Sequence, residues 1–280
     1  MAWRDLPSTT LRSEDGATAV ILDHGAQLVS WRPAAQTEAL FMSDDSRFAA
    51  GDAIRGGVPI IFPQFAERGP LKKHGFARNC LWQRAADVAK YVEEDAARTC
   101  YFLDSASCTS ADWPHQFRLE YVVIVQGSSL SMALSVINTD VHSWSFHAAL
   151  HTYLRVKDIA AAHISGLAAQ TFHDKVKEAQ VSIQTQPLLP VIGELDRIYV
   201  DVHAPLHLHD GQARLQITQD GEGFSDAVVW NPGAVKARSL ADLTLGAENH
   251  FVCIEAGAIM QAIELAPGAQ WTGRQILRRL

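Results

Sequence analysis

Arg118-Leu-Glu-Tyr-Val-Val-Ile-Val125, then Gln126-Gly127-Ser128, then Leu130-Ser-Met-Ala-Leu-Ser-Val-Ile137: this span decides the fold class. Both arms are rich in β-branched and apolar residues, the second alternates strictly, and a glycine-centred turn joins them. That is the signature of an antiparallel hairpin. The same pattern recurs along the chain. Ala19-Val-Ile-Leu22 and Ala26-Gln-Leu-Val-Ser-Trp31 flank Asp23-His24-Gly25, and Leu206-His-Leu-His209 meets Ala213-Arg-Leu-Gln-Ile217 through Asp210-Gly211, where both residues tolerate positive φ. No comparably long stretch carries a helical period. The expectation is an all-β protein, a large antiparallel β-sandwich with few, short helices.

With 280 residues, the chain can bury a large core without staples. No Pro/Gly/Ser linker, charge block or short repeat divides it, so residues 1–280 are expected to form one domain. A formal net charge of −7 argues against nucleic acid or an anionic membrane as partner. The start, Met1-Ala-Trp-Arg-Asp-Leu-Pro, lacks the features of a secretory signal, and no membrane-spanning apolar run is present, so a cytoplasmic protein is expected. Cys80, Cys100, Cys108 and Cys253 show no C-x-x-C pair and are expected to be reduced packing residues.

Three stretches could carry chemistry. In the first, Ile54-Arg55-Gly56-Gly57-Val58-Pro59 opens a proline-rich stretch to Pro70, expected to be a shaped loop, and Lys72-Lys73-His74-Gly75-Phe76-Ala77-Arg78 follows. Guanidinium forks suit a phosphate, the double glycine would let backbone approach a ligand, and an imidazole suits a hydroxyl. Loop charges paired with Asp52 or Glu67 would explain the same residues. The second stretch, Phe146 to Val156, alternates as one strand: Phe146, Ala148, Leu150, Leu154 and Val156 share one face, and His147, His151, Tyr153 and Arg155 the other. A solvent-facing surface would account for that polar face equally well. The third, His250-Phe-Val-Cys-Ile-Glu255-Ala-Gly257, sets a carboxylate in an interior strand, where it is costly unless functional or paired with Lys236 or an arginine, and where burial tends to raise its pKa. His203, His207 and His209 include one H-x-H beside a turn with no carboxylate or cysteine at ligand spacing, so no metal is expected.

Taken together, Ile54–Ile60, His74–Arg78, Leu150–Val156, Asp196-Arg-Ile-Tyr199, Val228-Val-Trp-Asn-Pro232 with Lys236-Ala237 and Ala241-Asp242, and Cys253–Gly257 resemble, in order, the hexose-6-phosphate mutarotases of the aldose 1-epimerase family. The resemblance implies a galactose-mutarotase-like β-sandwich whose concave sheet holds a sugar. It implies that His151 and Glu255 are catalytic, that Arg55, Lys73, His74 and Arg78 contact substrate or its phosphate, and that Asp196 binds a sugar hydroxyl. The implied partner is a small-molecule sugar phosphate, with no cofactor and no metal, in a monomer or weak homo-oligomer. Glu255 would act as base on the C1 hydroxyl, and His151, its pKa modestly raised by a nearby carboxylate, as acid on the ring oxygen. Two positions depart from the family pattern: Lys73 stands where Gln or a small residue is expected, and Gly233 where an aromatic is usual. The alternatives are a mutarotase for unphosphorylated aldoses, a glycosidase with Asp196 and Glu255 as its carboxylates, and a non-catalytic sugar-phosphate-binding protein.

Overall fold

The deciding hairpin forms as expected: Phe117–Gln126 pairs antiparallel with Ser129–Asn138, closing at Gln126 opposite Ser129. Its alternation has a physical outcome, because Leu119, Tyr121, Val123, Leu130, Met132, Leu134 and Val136 all enter the main core. The computed structural model describes residues 2–49, 51–86, 96–108, 110–211, 213–220 and 223–280. Among them the strands form three antiparallel sheets, and the one α-helix is Gly233–Ala237. No helix among the described residues is long and apolar enough to cross a membrane.

A four-stranded sheet takes the segments from Ala2–Trp3 to Leu28–Arg32, including the hairpin at Asp23-His24-Gly25 with a register shift at Val20. The nine-stranded sheet centres on Gln270–Arg279, which lies between Arg214–Gln219 and Ser129–Asn138. The eight-stranded sheet runs, in spatial order, Gln180–Ile183, Thr171–Asp174, Leu195–Tyr199, Asp226–Asn231, Phe251–Leu265, Trp144–Leu150 and Ile60–Ile61, and Tyr153–Arg155 also pairs with Phe251–Leu265. Inward residues of the two large sheets meet in one apolar cluster: Leu150, Val252, Ile254 and Ala256 come from one, and Tyr121, Leu134 and Leu277 from the other.

Three local expectations differ from the structure. The face assignment for 146–156 holds, since the predicted apolar residues all lie in the core, but the ladder breaks at His151-Thr152. The break follows from hydrogen bonding elsewhere. His151 N–H donates to the Pro59 carbonyl at 3.0 Å, Tyr153 N–H to Gly57 at 2.9 Å, and the Thr152 hydroxyl to Gln275 Oε1 at 2.6 Å. The loop from Arg55 contributes a short strand of its own, Ile60–Ile61, against Ala149 and Leu150. Gly56 and Gly57 serve protein backbone rather than a ligand. Both have positive φ, and a Cβ at either would strike the main chain of Phe41-Met42 or Leu28-Val29.

The cysteine expectation is overturned for one pair. Cys80 and Cys108 are joined as a disulfide with their Cα atoms 6.2 Å apart, a bridging distance. The turn after Ala97–Asp104 carries Cys108 back to the segment just beyond Ala77–Asn79, a proximity that the 28-residue spacing does not announce. Cys100 and Cys253 are free and buried.

Candidate active site

Strand pairing alone brings the two expected proton carriers together. The long central strand puts Val252, Ile254 and Ala256 into the core and turns Phe251, Cys253 and Glu255 to the other face of the sheet. The neighbouring segment carries His151 on that same face, past the end of its own strand. Although 104 positions apart in sequence, His151 Nε2 lies 3.3 Å from Glu255 Oε1. Both are buried, with the histidine side chain 10% and the glutamate side chain 2% exposed. His151 Nδ1 and Glu255 Oε2 have no hydrogen-bond partner among the described residues.

These groups border a cleft of about 210 Å³. Every residue the sequence singled out for the site lines it: Arg55, Lys73, His74, Arg78, His151, Asp196 and Glu255. Phe65, Val228, Trp230 and Leu240 supply apolar wall. Tyr153 packs flat on His151, with ring centroids 4.8 Å apart, while His74 and Trp230 present edges at 5.6 and 5.8 Å. His74, in the left-handed region, is buried and accepts the Ala66 N–H on Nδ1 at 3.2 Å.

The cleft's cations fall into two kinds. Arg55 is occupied: its Nε donates to Asp242 at 2.8 Å and its Nη1 to the Tyr153 hydroxyl at 3.2 Å. Lys73 pairs with Glu67 at 3.0 Å on the exposed rim, Lys236 with Glu194 at 2.7 Å, and Lys175 with Asp196 at 3.6 Å. Arg78 alone among these cations has no carboxylate partner among the described residues. Its Nη2 donates to the Lys73 carbonyl at 3.0 Å, and its buried Nε has no partner there either. Burial pulls the Arg78 pKa down, which is the cost of holding a guanidinium without a counter-charge.

The acid–base pair departs from expectation in its proton balance. Burial, followed by the charges of Arg78 and Arg55, lowers His151 to about 3 instead of raising it. Burial, reinforced by Asp196, raises Glu255 well above the usual carboxylate range. Both shifts run in one direction: in the unliganded pair they favour the protonated carboxyl of Glu255 beside a neutral imidazole. Burial likewise raises Asp196, against the opposing pull of Lys175.

Lys175 and the pairing of Arg55 with Asp242 were missed in the sequence. Lys175 sits in a three-residue 3₁₀ turn, Lys175–Lys177, with no local pattern to mark it, and only sheet pairing brings it to Asp196. The departure at position 233 has a structural cause. Gly233 has φ +60°, and a Cβ there would lie 2.5 Å from the Glu194 nitrogen, so this chain cannot carry a larger side chain at that point without moving the 193–194 backbone. Among the described residues no group of three His, Cys, Asp or Glu is arranged to hold a metal ion. His209 instead stacks on His163 with centroids 4.8 Å apart.

Comparison with known proteins places this geometry in context. The sequence profile described as aldose 1-epimerase matches residues 7–278. A protein of Cenchrus ciliaris, named as a candidate glucose-6-phosphate 1-epimerase, is 32% identical over 96% of this chain and 83% of its own length. A second, of Salmonella typhimurium and named in the same way, is 32% identical over 93% of this chain and 91% of its own. The crystal structure of a candidate mutarotase from Salmonella typhimurium superposes with a TM-score of 0.84 at 28% identity, covering 94% of this chain and 87% of that one.

Proposed function

The chain belongs to the aldose 1-epimerase family and is an enzyme of the isomerase class, and from that premise we propose that it interconverts the α and β anomers of a hexose 6-phosphate, glucose 6-phosphate foremost, using His151 and Glu255 as proton carriers. The observation that carries this reading is the 3.3 Å contact between two buried, oppositely protonating groups on the floor of a sugar-sized cleft.

Anomer exchange opens the ring, turns the C1 aldehyde and closes the ring on its other face. Opening removes a proton from the C1 hydroxyl and delivers one to the ring oxygen. Glu255 as carboxylate accepts the first, and His151 as imidazolium donates the second through Nε2. Closure runs the same transfers in reverse, so no net proton is consumed. Asp196 accepts a sugar hydroxyl, His74 fixes another, and Trp230 with Val228 offers apolar surface to the ring's C–H face.

Arg78 supports a phosphorylated substrate. A half-buried guanidinium with no carboxylate partner among the described residues suits an anion brought by the substrate, and Lys73 and Arg55 line the same wall. Two-dimensional NMR exchange on freshly dissolved α-glucose 6-phosphate, set beside α-glucose and α-galactose, tests the assignment. Catalysed exchange should be fastest for the phosphorylated sugar. Equal rates on glucose and glucose 6-phosphate would remove the phosphate from the proposal, and absence of exchange on all three would remove the activity.

A further inference from the structure

The acid–base pair stands between two unlike walls. On the His151 side, Tyr153 lies flat against the ring and takes a hydrogen bond from Arg55, and His74 meets the ring's edge next to Lys73, whose carbonyl accepts from Arg78. On the Glu255 side are Asp196 and its partner Lys175, with Cys253 two residues along the same strand. The field across the pair is therefore polarised: cations face the imidazole, and the Asp196 carboxylate faces Glu255. That polarity opposes the protonation state the proposed chemistry needs, which is imidazolium beside carboxylate.

We infer that the substrate's phosphate is an electrostatic switch for this pair as well as a binding handle: a dianion seated on Arg78, beside Arg55 and Lys73, moves the shared proton from Glu255 to His151. The inference rests on the phosphate reading given above. The transfer is balanced, since the O–H bond of the Glu255 carboxyl breaks, an N–H bond forms at His151 Nε2 across their 3.3 Å contact, and no proton enters or leaves.

The geometry favours this direction. Arg55 and Lys73 already have carboxylates, Asp242 and Glu67, so the uncompensated charge on the imidazole's side is Arg78. Two negative charges placed there turn a wall that repels imidazolium into one that attracts it. The same dianion also acts on Glu255, but less. The sheet order separates the two: Tyr153–Arg155, with its Arg55 contact, pairs along one flank of Phe251–Leu265, whereas Asp196 and Lys175 belong to the opposite flank, beyond Asp226–Asn231. His74 stays neutral through burial and the nearby charges, so it does not take the proton instead. An unphosphorylated hexose would bind with the pair still in its resting state and turn over more slowly in the chemical step. Discrimination would then appear in kcat as well as in KM.

Sulfate tests this, because it is a dianion that does not titrate near neutrality and carries no sugar. Protein with ¹⁵N-labelled histidine and arginine is titrated from pH 3 to 8 with and without saturating sulfate, His151 being assigned by its loss in His151→Asn and Arg78 by its loss in Arg78→Gln, and binding is followed at the Arg78 Nε resonance. The expected result is that His151 Nε2 becomes protonated near pH 7 only when sulfate is bound, together with a several-fold rise in kcat for free glucose. Lys73→Met, at an exposed rim position, should raise the midpoint of the sulfate-free protein and shrink the sulfate response. Arg78→Gln should abolish that response. Sulfate that binds at Arg78 but leaves the His151 midpoint and glucose turnover unchanged overturns the switch and leaves the phosphate site standing. Failure of both sulfate and glucose 6-phosphate to bind overturns both.

Discussion

The strand Phe251–Leu265 has two faces that were built under opposite rules. Val252, Ile254 and Ala256 lie at 0% exposure in an apolar cluster and leave no polar side-chain atom to satisfy. One residue away, Cys253 and Glu255 are just as buried, yet Glu255 keeps an oxygen with no partner among the described residues and its pKa is driven far from the ordinary carboxylate range. Burial is the same quantity on both faces, but on one it stabilises the fold and on the other it costs stability and shifts a titratable group. A buried acid that is not fully paired is a poor structural element and a good proton carrier.

The comparison can be broken most sharply by conservative changes on the cleft face. Glu255→Gln and His151→Asn should each lower catalysed anomer exchange by about 10²–10⁴-fold, the range for loss of a general acid or base, with circular dichroism unchanged. An exchange rate within a factor of a few of the parent would mean that the two faces do not differ in the way proposed. On the core face, Ile254→Ala should destabilise by about 2–5 kcal/mol in urea unfolding, while KM for glucose 6-phosphate in the folded protein stays near the parent value. Arg78→Ala should lower kcat/KM for glucose 6-phosphate by about 10- to 100-fold, as expected for roughly 1.5–3 kcal/mol of charge-assisted hydrogen bonding, and should affect free glucose much less. Arg55→Ala, which also strands Asp242, should lower both substrates together. The smallest effect is on stability against pH. Because Glu255 is raised in the folded protein, its favourable contribution is complete below the unfolded value near 4.5 and is lost as pH rises through the folded pKa. Glu255→Gln does not titrate at this position, so its unfolding free energy, measured in urea, should gain on the parent as pH rises across that window, by about 1.4 kcal/mol for each pH unit by which the folded pKa is raised. A difference that shrinks toward alkaline pH would contradict the raised carboxyl.

Much of this contrast was legible in the sequence, because a strand's period of two sorts side chains by face before any partner is known. Alternation in 251–257 separated Glu255 from Ile254, and alternation in 146–156 separated His151 from Leu150. What alternation cannot supply is partnership across the sheet. The break at His151-Thr152 depends on Gln275 and on carbonyls of the 57–59 segment, Lys175 reaches Asp196 through a 3₁₀ turn, and Cys80 meets Cys108 through a loop. The proton balance was misjudged for a related reason. A carboxylate near His151 was foreseen, but the depth of burial and the guanidinium charges on the same side were not, and they outweigh it.

The central position of Phe251–Leu265 also bears on how the chain acquires its shape. The sheet neighbours on either side, Trp144–Leu150 and Asp226–Asn231, both precede it in the sequence, so neither has its partner along these edges until Phe251–Leu265 has been made. Such edges template pairing with other chains for as long as they stand open. Phe251–Leu265 is thus the last-made strand of this sheet and its keystone: in the folded protein it covers both of those edges and holds Glu255 beside His151.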